Sequence, residues 1–461
     1  MASPTTQPRR AAIALELFAG LRVDFRGSLL EPGDAHFDAA RRVHNGMIDR
    51  VPAAIAQCTG VADVQAAVRF ARENGIPVSV RGGGHGTAGT AVCDNGLMID
   101  LEPMKGIVID RGNTRARAEG GVTWGQLDRE TQVFGLATTG GLVSSTGIAG
   151  LTLGGGLGWL MRKHGLACDN LRSATVVLAD GTPVMASETE NADLFWALRG
   201  GGGNFGVVTS FEYALHPLGP LLAGMLIHPA AASREVLRAY RAFSSTAPDE
   251  LTAYAALLTA PDGSPVVALL VCYCGPIAKG EVLLRPLVEF GSPLANTIAP
   301  MPYTSVQQQL DGAYPKGALN YWKSSFLDSL SDDVIEVVSD HFARVPSAMT
   351  GMVFEHLGGA VARVPVEATA FAHRQSAYNL VITSVWQDRD ESPRNIAWTR
   401  GLFAAVQPHA AAGVYVNYLD EDDVAGRSVA AFGANYARLQ AVKAKYDPAN
   451  FFAQNQNALP P

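Results

Sequence analysis

Cysteine is scarce in this chain. Five residues of 461 (Cys58, Cys93, Cys168, Cys272 and Cys274) form an odd set without paired spacing. That excludes a disulfide framework and points to reduced thiols in a cytosol. Charge is sparse as well, 17% of residues with a net of −7, which argues against nucleic acid or an anionic membrane surface as partner. No apolar run is long enough to span a bilayer. The histidines His85, His164, His216, His356 and His373 lack paired ligand spacing of the His-Glu-x-x-His kind, so no metal site is expected. Hydrolysis has no Gly-x-Ser-x-Gly elbow to use. Arg9-Arg10 ahead of residues 11–15 hints at twin-arginine export, but Glu16 interrupts the apolar stretch. Residues 11–21 read better as an amphipathic helix, and the expected location is the cytoplasm.

Glycine, by contrast, is clustered. A short β-type run, Pro77-Val78-Ser79-Val80, breaks into Arg81-Gly82-Gly83-Gly84-His85-Gly86. Three bare residues cost backbone entropy, so close approach to a ligand is the usual reason for them. Successive N–H groups in such a turn cradle an anion, and Arg81 would add positive charge beside it. His85 would project from the edge as an imidazole nucleophile. The loop does not fit the G-x-G-x-x-G fingerprint, because Thr87-Ala88-Gly89-Thr90 opens no amphipathic helix. A glycine cluster alone is often only a turn. Two further glycine stretches, residues 147–159 and 200–206, suggest one extended ligand held by backbone.

Short strands and helices alternate over residues 42–215. Residues 61–74 and 124–134 read as helices, and residues 97–101, 107–110, 174–179 and 207–215 as strands. This is an α+β pattern, not a doubly wound nucleotide fold. Pro217-Leu218-Gly219-Pro220 marks a composition break and a domain boundary. Beyond it, strands at 222–227, 251–259, 266–273, 352–355 and 379–386 are separated by helices such as 231–243 and 396–406, the latter preceded by Ser392-Pro393. A large antiparallel sheet backed by helices, with its other face over a ligand, is the expected second domain. The division is residues 1–219 (core 48–217), 220–413, and a segment 414–461 returning to the first domain. In that segment, alternation along a strand would put Val414, Val416 and Tyr418 on one face and Tyr415 and Asn417 on the other.

Several motifs together resemble the berberine-bridge-enzyme-like flavoproteins of the vanillyl-alcohol-oxidase superfamily, with a PCMH-type FAD-binding domain. They are residues 80–86, Gly154-Gly155-Gly156-Leu157-Gly158-Trp159 continuing to Asn170, Asp193 to Val208, and Tyr446-Asp447-Pro448-Ala449-Asn450 through Asn457. The resemblance spans nearly the whole chain. It implies a two-part FAD domain under a seven-stranded substrate sheet, and FAD tethered covalently through His85. It also implies flavin contacts from Arg81, Gly82, Gly83, Gly84, Gly86, Thr87, Thr139, Gly140, Gly141, Ser144, Gly147, Gly150, Gly154, Gly155, Gly158, Trp159, Asn204, Gly206, Val207, Val208, Tyr418, Asn455 and Asn457. The family's frequent second, cysteinyl tether would fall on Val143, so the attachment is expected to be single. Cys168 reads as a small packed residue.

The flavin takes hydride at N5 while the protein supplies a base and orientation. The resemblance puts Tyr418 at the reacting carbon. A phenol needs help to act as a base near neutral pH; Glu355 would orient it and Lys323 would supply the assisting charge. Small residues at Gly140-Gly141 match a position that leaves oxygen access in relatives. The expected activity is an FAD-dependent oxidase taking hydride from an alcohol, sugar or amine carbon of a small molecule, with O2 as acceptor. The alternatives are a dehydrogenase using another acceptor and a non-catalytic flavin binder.

Overall fold

The computed structural model describes residues 15–423 and 425–460. The Arg9-Arg10 pair and residues 11–14 of the expected first helix lie outside them. What is described of that helix is a 3₁₀ turn, Leu15–Phe18, leading into Ala19–Arg22.

Two small sheets build the first part of the chain. Strands β1 (Ser28–Leu30), β2 (Ala54–Gln57), β3 (Val78–Arg81) and β4 (Leu97–Asp100) form a sheet of order β1-β2-β4-β3, parallel except at β1. Helix α1 (Val61–Glu73) packs on it through Val64, Ala67, Val68 and Ala71, spaced to line one helical face. The second sheet is antiparallel, from β5 (Ile107–Asp110), β6 (Arg115–Glu119), β7 (Leu171–Val177), β8 (Pro183–Ser187) and β9 (Val207–Ala214), ordered β5-β6-β9-β7-β8. Helix α2 (Trp124–Gln132) starts at a capping box of Thr123 and Gln126.

The third sheet has eight antiparallel strands, not the seven expected. Six are long: β10 (Leu221–Pro229), β11 (Leu251–Thr259), β12 (Pro265–Tyr273), β13 (Leu319–Leu327), β14 (Gly351–His356) and β15 (Tyr378–Trp386), ordered β10-β12-β11-β14-β15-β13. Two short ones, Ala295–Asn296 and Ala299–Met301, pair with β10. Strand β13 escapes a reading by hydropathy because Asn320, Lys323, Ser324 and Ser325 interrupt its apolar residues. Its pairing with β15 over nine residues is a long-range contact.

Side-chain alternation sorts this sheet into two environments. Met352 and Phe354 of β14 join an apolar core with Val236, Leu237 and Tyr240 of α3 (Ser233–Ser244), Val334, Ile335 and Val338 of α4 (Asp332–Phe342) and Leu402 of α5 (Ser392–Val406). The opposite face carries Val353 and Glu355 toward a cavity. Beside that cavity, Tyr254, Leu270 and Cys272 pack against Trp159, Leu160 and Met161 of the first part of the chain.

The C-terminal segment returns to the first part. Leu439 and Val442 of α6 (Tyr436–Tyr446) bury against Leu194, Phe195 and Trp196. A fully buried ion pair fixes the return: Lys443 Nζ donates to Asp447 Oδ2 at 2.6 Å and to the Asn204 and Phe452 carbonyls. Asp447 in turn accepts from the Phe451 and Phe452 amides. Removing one member of such a pair leaves an unpaired buried charge, at a cost of about 3–5 kcal/mol. Lys443→Met should therefore lower the unfolding free energy by roughly that amount in urea titration; a change below about 1 kcal/mol would show the pair to be dispensable.

Candidate active site

The cavity lies between the three sheets and the returning segment. One wall is the loop after β3, with Gly82, Gly83, Gly84, His85, Gly86 and Thr87. Gly147 and Gly150 at the start of the short helix Ile148–Leu153 stand opposite; Gly202, Gly203, Gly206, Val208 and tail residues Phe452 and Gln454–Gln456 continue the lining. The sheet supplies Trp322, Val353, Glu355, Val381 and Thr383, and the turn Val416–Tyr418 closes it. Glycine is required where the loops cross, since a Cβ on Gly83 would overlap the backbone of Gly147, and Gly84 has φ +64°.

His85 is half-buried, its Nε2 is covered and unpartnered, and its ring stacks on His44 at 3.9 Å between centroids. Burial, reinforced by His44, pushes its pKa down to about 3, and burial lowers His44 to about 4. Both imidazoles are thus neutral at physiological pH, each with a free ring nitrogen.

Across the cavity, Tyr418 Oη donates to Glu355 Oε1 at 2.8 Å, and Asn379 Nδ2 donates to Glu355 Oε2 at 2.6 Å. Burial pushes the Glu355 carboxyl up to about 7, against the lowering effect of its two donors. Burial and the neighbouring carboxylate push the Tyr418 phenol well above its ordinary value. Tyr418 therefore stays protonated, and the titrating group of the pair is Glu355.

The returning segment differs from the strand the sequence suggests. Val416–Tyr418 is a 3₁₀ turn. Residues three apart eclipse in such a turn, so Tyr415 and Tyr418 meet edge to face at 4.8 Å instead of splitting to opposite faces. Tyr415 Oη accepts from the Gly156 and Leu157 amides at 3.0 and 3.3 Å, locking the second glycine loop to the turn.

Several residues expected at the flavin are not on the wall of this cavity. Lys323 is on the helix-covered face of β13 with Tyr321, pairing with Asp422 at 2.5 Å and Asp423 at 2.9 Å. Adjacent positions on a strand point to opposite faces, so Trp322 reaches the cavity and Lys323 cannot assist Tyr418. Arg81 is buried against Asp100, its Nε donating at 2.8 Å, so its charge is neutralised away from the cradle. Thr139 donates to the Gly165 carbonyl and Ser144 bonds Asp311. Gly140 and Gly141 pack by Trp124 and Leu151, behind Leu142 and Val143, which take the cavity wall instead. Gly154, Gly155 and Gly158 serve close packing against Asn417, Phe371 and the Gly140 carbonyl. Trp159 stacks on Tyr254, Asn204 holds Gly201 and the tail, and Val207 is buried in pairing with Val177. Asn457 is also off the cavity wall, whereas Asn455 is on it. Cys168 is buried outside the cavity.

The sequence reading missed Trp322, Tyr314, Thr383 and Asn417 on the wall, and His44 and Asn379 behind it. Only the alternation Asn320, Trp322, Ser324, Phe326 was available as a signal for the first of these.

Comparison with known proteins follows the same lines. A family profile described as FAD binding domain matches residues 52–187, and one described as berberine and berberine like matches residues 414–458. An FAD-linked oxidoreductase of Dictyostelium discoideum is 34% identical over 89% of both chains. Glucooligosaccharide oxidase of Sarocladium strictum is 29% identical over 88% of this chain and 87% of its own. The crystal structure of 6-hydroxy-D-nicotine oxidase from Arthrobacter nicotinovorans superposes with a TM-score of 0.87 at 29% identity, covering 98% of this chain and 100% of that one.

Two glycine substitutions separate packing from lining. A Cβ on Gly158 would overlap the Gly140 carbonyl oxygen, whereas one on Gly86 meets nothing within 4 Å. Gly158→Ala should lose at least about 1–3 kcal/mol of stability, read as a lower melting temperature, and Gly86→Ala should leave it unchanged. Equal melting temperatures for the two variants would contradict the packing role.

Proposed function

Because the chain belongs to the berberine-bridge-like FAD-linked oxidoreductases, we propose that it is an oxidase whose FAD is attached once, through His85, and whose substrate proton passes through Tyr418 to Glu355. The observation that carries this reading is the Tyr418–Glu355 hydrogen bond on the wall facing the His85 loop. The relatives named as oxidases for a nicotine derivative and an oligosaccharide support hydride removal from a carbon bearing nitrogen or oxygen, with O2 as the proposed acceptor.

The residues present fit FAD. His85 offers an unpartnered, neutral ring nitrogen, the chemical state a nucleophile needs. Val143, a cavity residue, offers no thiol for a second bond. Among the described residues no Lys or Arg lines the cavity, so backbone N–H groups of the glycine loops would hold the diphosphate. Bound there, FAD supplies a two-electron acceptor for hydride.

The chain's own part is proton handling. Tyr418 cannot ionise first, because its phenol is raised and Glu355 is beside it. Its hydroxyl instead takes a proton from substrate as it gives its own to Glu355, which is ready to accept near pH 7. Asn379 fixes the second carboxylate oxygen and so the direction of the first. The unpaired state of all five cysteines supports the cytoplasm as the proposed location.

Two expectations test the reading. Acid-precipitated protein should stay yellow and carry flavin mass on the His85 peptide alone; His85→Ala should release all flavin on denaturation. A label on any other peptide would refute the single tether. Secondly, Glu355 accepts a proton only as the carboxylate, so substrate reduction of the flavin should rise with pH through about 7 and plateau above it. Tyr254, Tyr314, Tyr415 and Tyr418 around it are all kept protonated by burial and contribute no step in that range. Glu355→Gln and Tyr418→Phe should slow anaerobic flavin reduction about 10²–10⁴-fold, the former with a flat profile, while reoxidation in air still yields H2O2. Near-normal rates in both variants would move the proton acceptor elsewhere.

A further inference from the structure

The ring of His44 lies flat against that of His85, with 3.9 Å between centroids and 20° between planes. The lone pairs and N–H bonds of an imidazole lie in the plane of its ring, so neither stacked ring aims a donor at an acceptor of the other. His44 therefore cannot take a proton from His85. What the contact does fix is a plane. The χ2 torsion of histidine is broad, and His85 Nε2 has no hydrogen-bond partner to hold the ring. His44 closes one face of His85, and the residue otherwise borders the cavity.

His44 is buried and is itself held from two directions. Its amide donates to the carbonyl of Gly84, one residue before His85, at 2.9 Å, and its carbonyl accepts from the Gly317 amide at 2.9 Å. The next residue, Asn45, donates through Nδ2 to the Thr87 carbonyl at 2.8 Å and to the Asn320 carbonyl of β13 at 2.9 Å. The Gly46 amide then donates to the Ala318 carbonyl at 2.8 Å. Residues 44–46 thus grip the loop on both sides of His85 and tie it to the start of β13. Burial and the nearby Lys316 charge keep the His44 ring neutral, so the stack carries no repulsion between two cations.

Resting on the histidyl tether read above, we propose that His44 is the positioning residue for flavin attachment, its ring holding the His85 imidazole in the plane from which a ring nitrogen bonds the flavin. In that step one His85 nitrogen bonds to the carbon of a methyl group on the flavin ring. One C–H bond of the methyl group breaks, and the other nitrogen of His85 loses its proton. The two electrons released pass by way of the flavin to O2, which takes both protons and leaves as H2O2. Misplacing a reacting atom by about 1 Å costs on the order of 10²-fold in rate, so a contact that fixes the plane has a measurable effect. The role requires a flat face at position 44 and not the nitrogens of His44.

The test compares His44→Phe, which keeps a flat ring, with His44→Leu, which fills the space without one. Each full-length protein is purified with its flavin, held in air with excess FAD and sampled over time. Acid precipitation then separates tethered flavin, in a yellow pellet, from flavin released to the supernatant. His44→Phe should tether as the wild type does. His44→Leu should tether about 10²-fold more slowly, with flavin still bound before denaturation and a melting temperature equal to that of His44→Phe. Tethering in His44→Leu at the wild-type rate would overturn the positioning role. Tethering as slow in His44→Phe as in His44→Leu would also overturn it, by giving the task to the His44 nitrogens. Loss of all bound flavin or of the fold in His44→Leu would overturn it too, because His44 would then hold the cofactor or the chain and not the tether. Wild-type flavin that leaves the pellet, or that labels another peptide, would instead overturn the tether reading beneath.

Discussion

The hydrogen bond between Tyr418 and Glu355 joins two distant pieces of the chain on the wall of the cavity. Glu355 belongs to the large sheet and Tyr418 to the segment that crosses back after it. One turn away, Tyr415 receives two amides of the second glycine loop. Sheet, returning segment and second glycine loop are therefore indexed to one another through two phenols on a single 3₁₀ turn. A buried carboxyl is tolerated there because both of its oxygens have donors. The same burial sets its affinity for a proton close to neutrality, so the packing that fixes the site also prepares its acid–base behaviour.

The cations of the neighbourhood do a different job. Arg81, Lys323 and Lys443 are all buried, and each is matched to aspartate. Lys323 holds the acidic loop after Tyr418 against β13, while the Asp420 carboxylate accepts from the Trp322 amide. Asn45 bridges the Thr87 and Asn320 carbonyls, connecting the His85 loop to the same strand. Such pairs gain little net energy when weighed against desolvation, but breaking one is expensive. They act as position markers around a cavity whose lining, among the described residues, carries one carboxylate, Glu355.

Much of this molecule could be read from residue order alone. The loop from Arg81 to Gly86, the helix 61–74, most strands of the large sheet and the likeness to FAD-linked oxidoreductases follow from local pattern: period-two and period-3.6 hydropathy, and glycine where backbone must approach backbone. His85, Tyr418 and Glu355 could be named as candidates from motif and family likeness, although the strand expected around Tyr418 is a 3₁₀ turn. What a glycine or a charge is for was decided only by the tertiary structure. Gly154, Gly155 and Gly158 look like a ligand cradle in sequence; in the fold a Cβ on any of them would run into Asn417, Phe371 or the Gly140 carbonyl. Lys323 and Trp322 are neighbours in sequence, but the pleat of β13 sends them to opposite sides of the sheet. His44 meets His85, and Asn379 meets Glu355, across separations that no periodicity spans. Local sequence constrains backbone conformation; which donor finds which acceptor depends on the packing of distant segments.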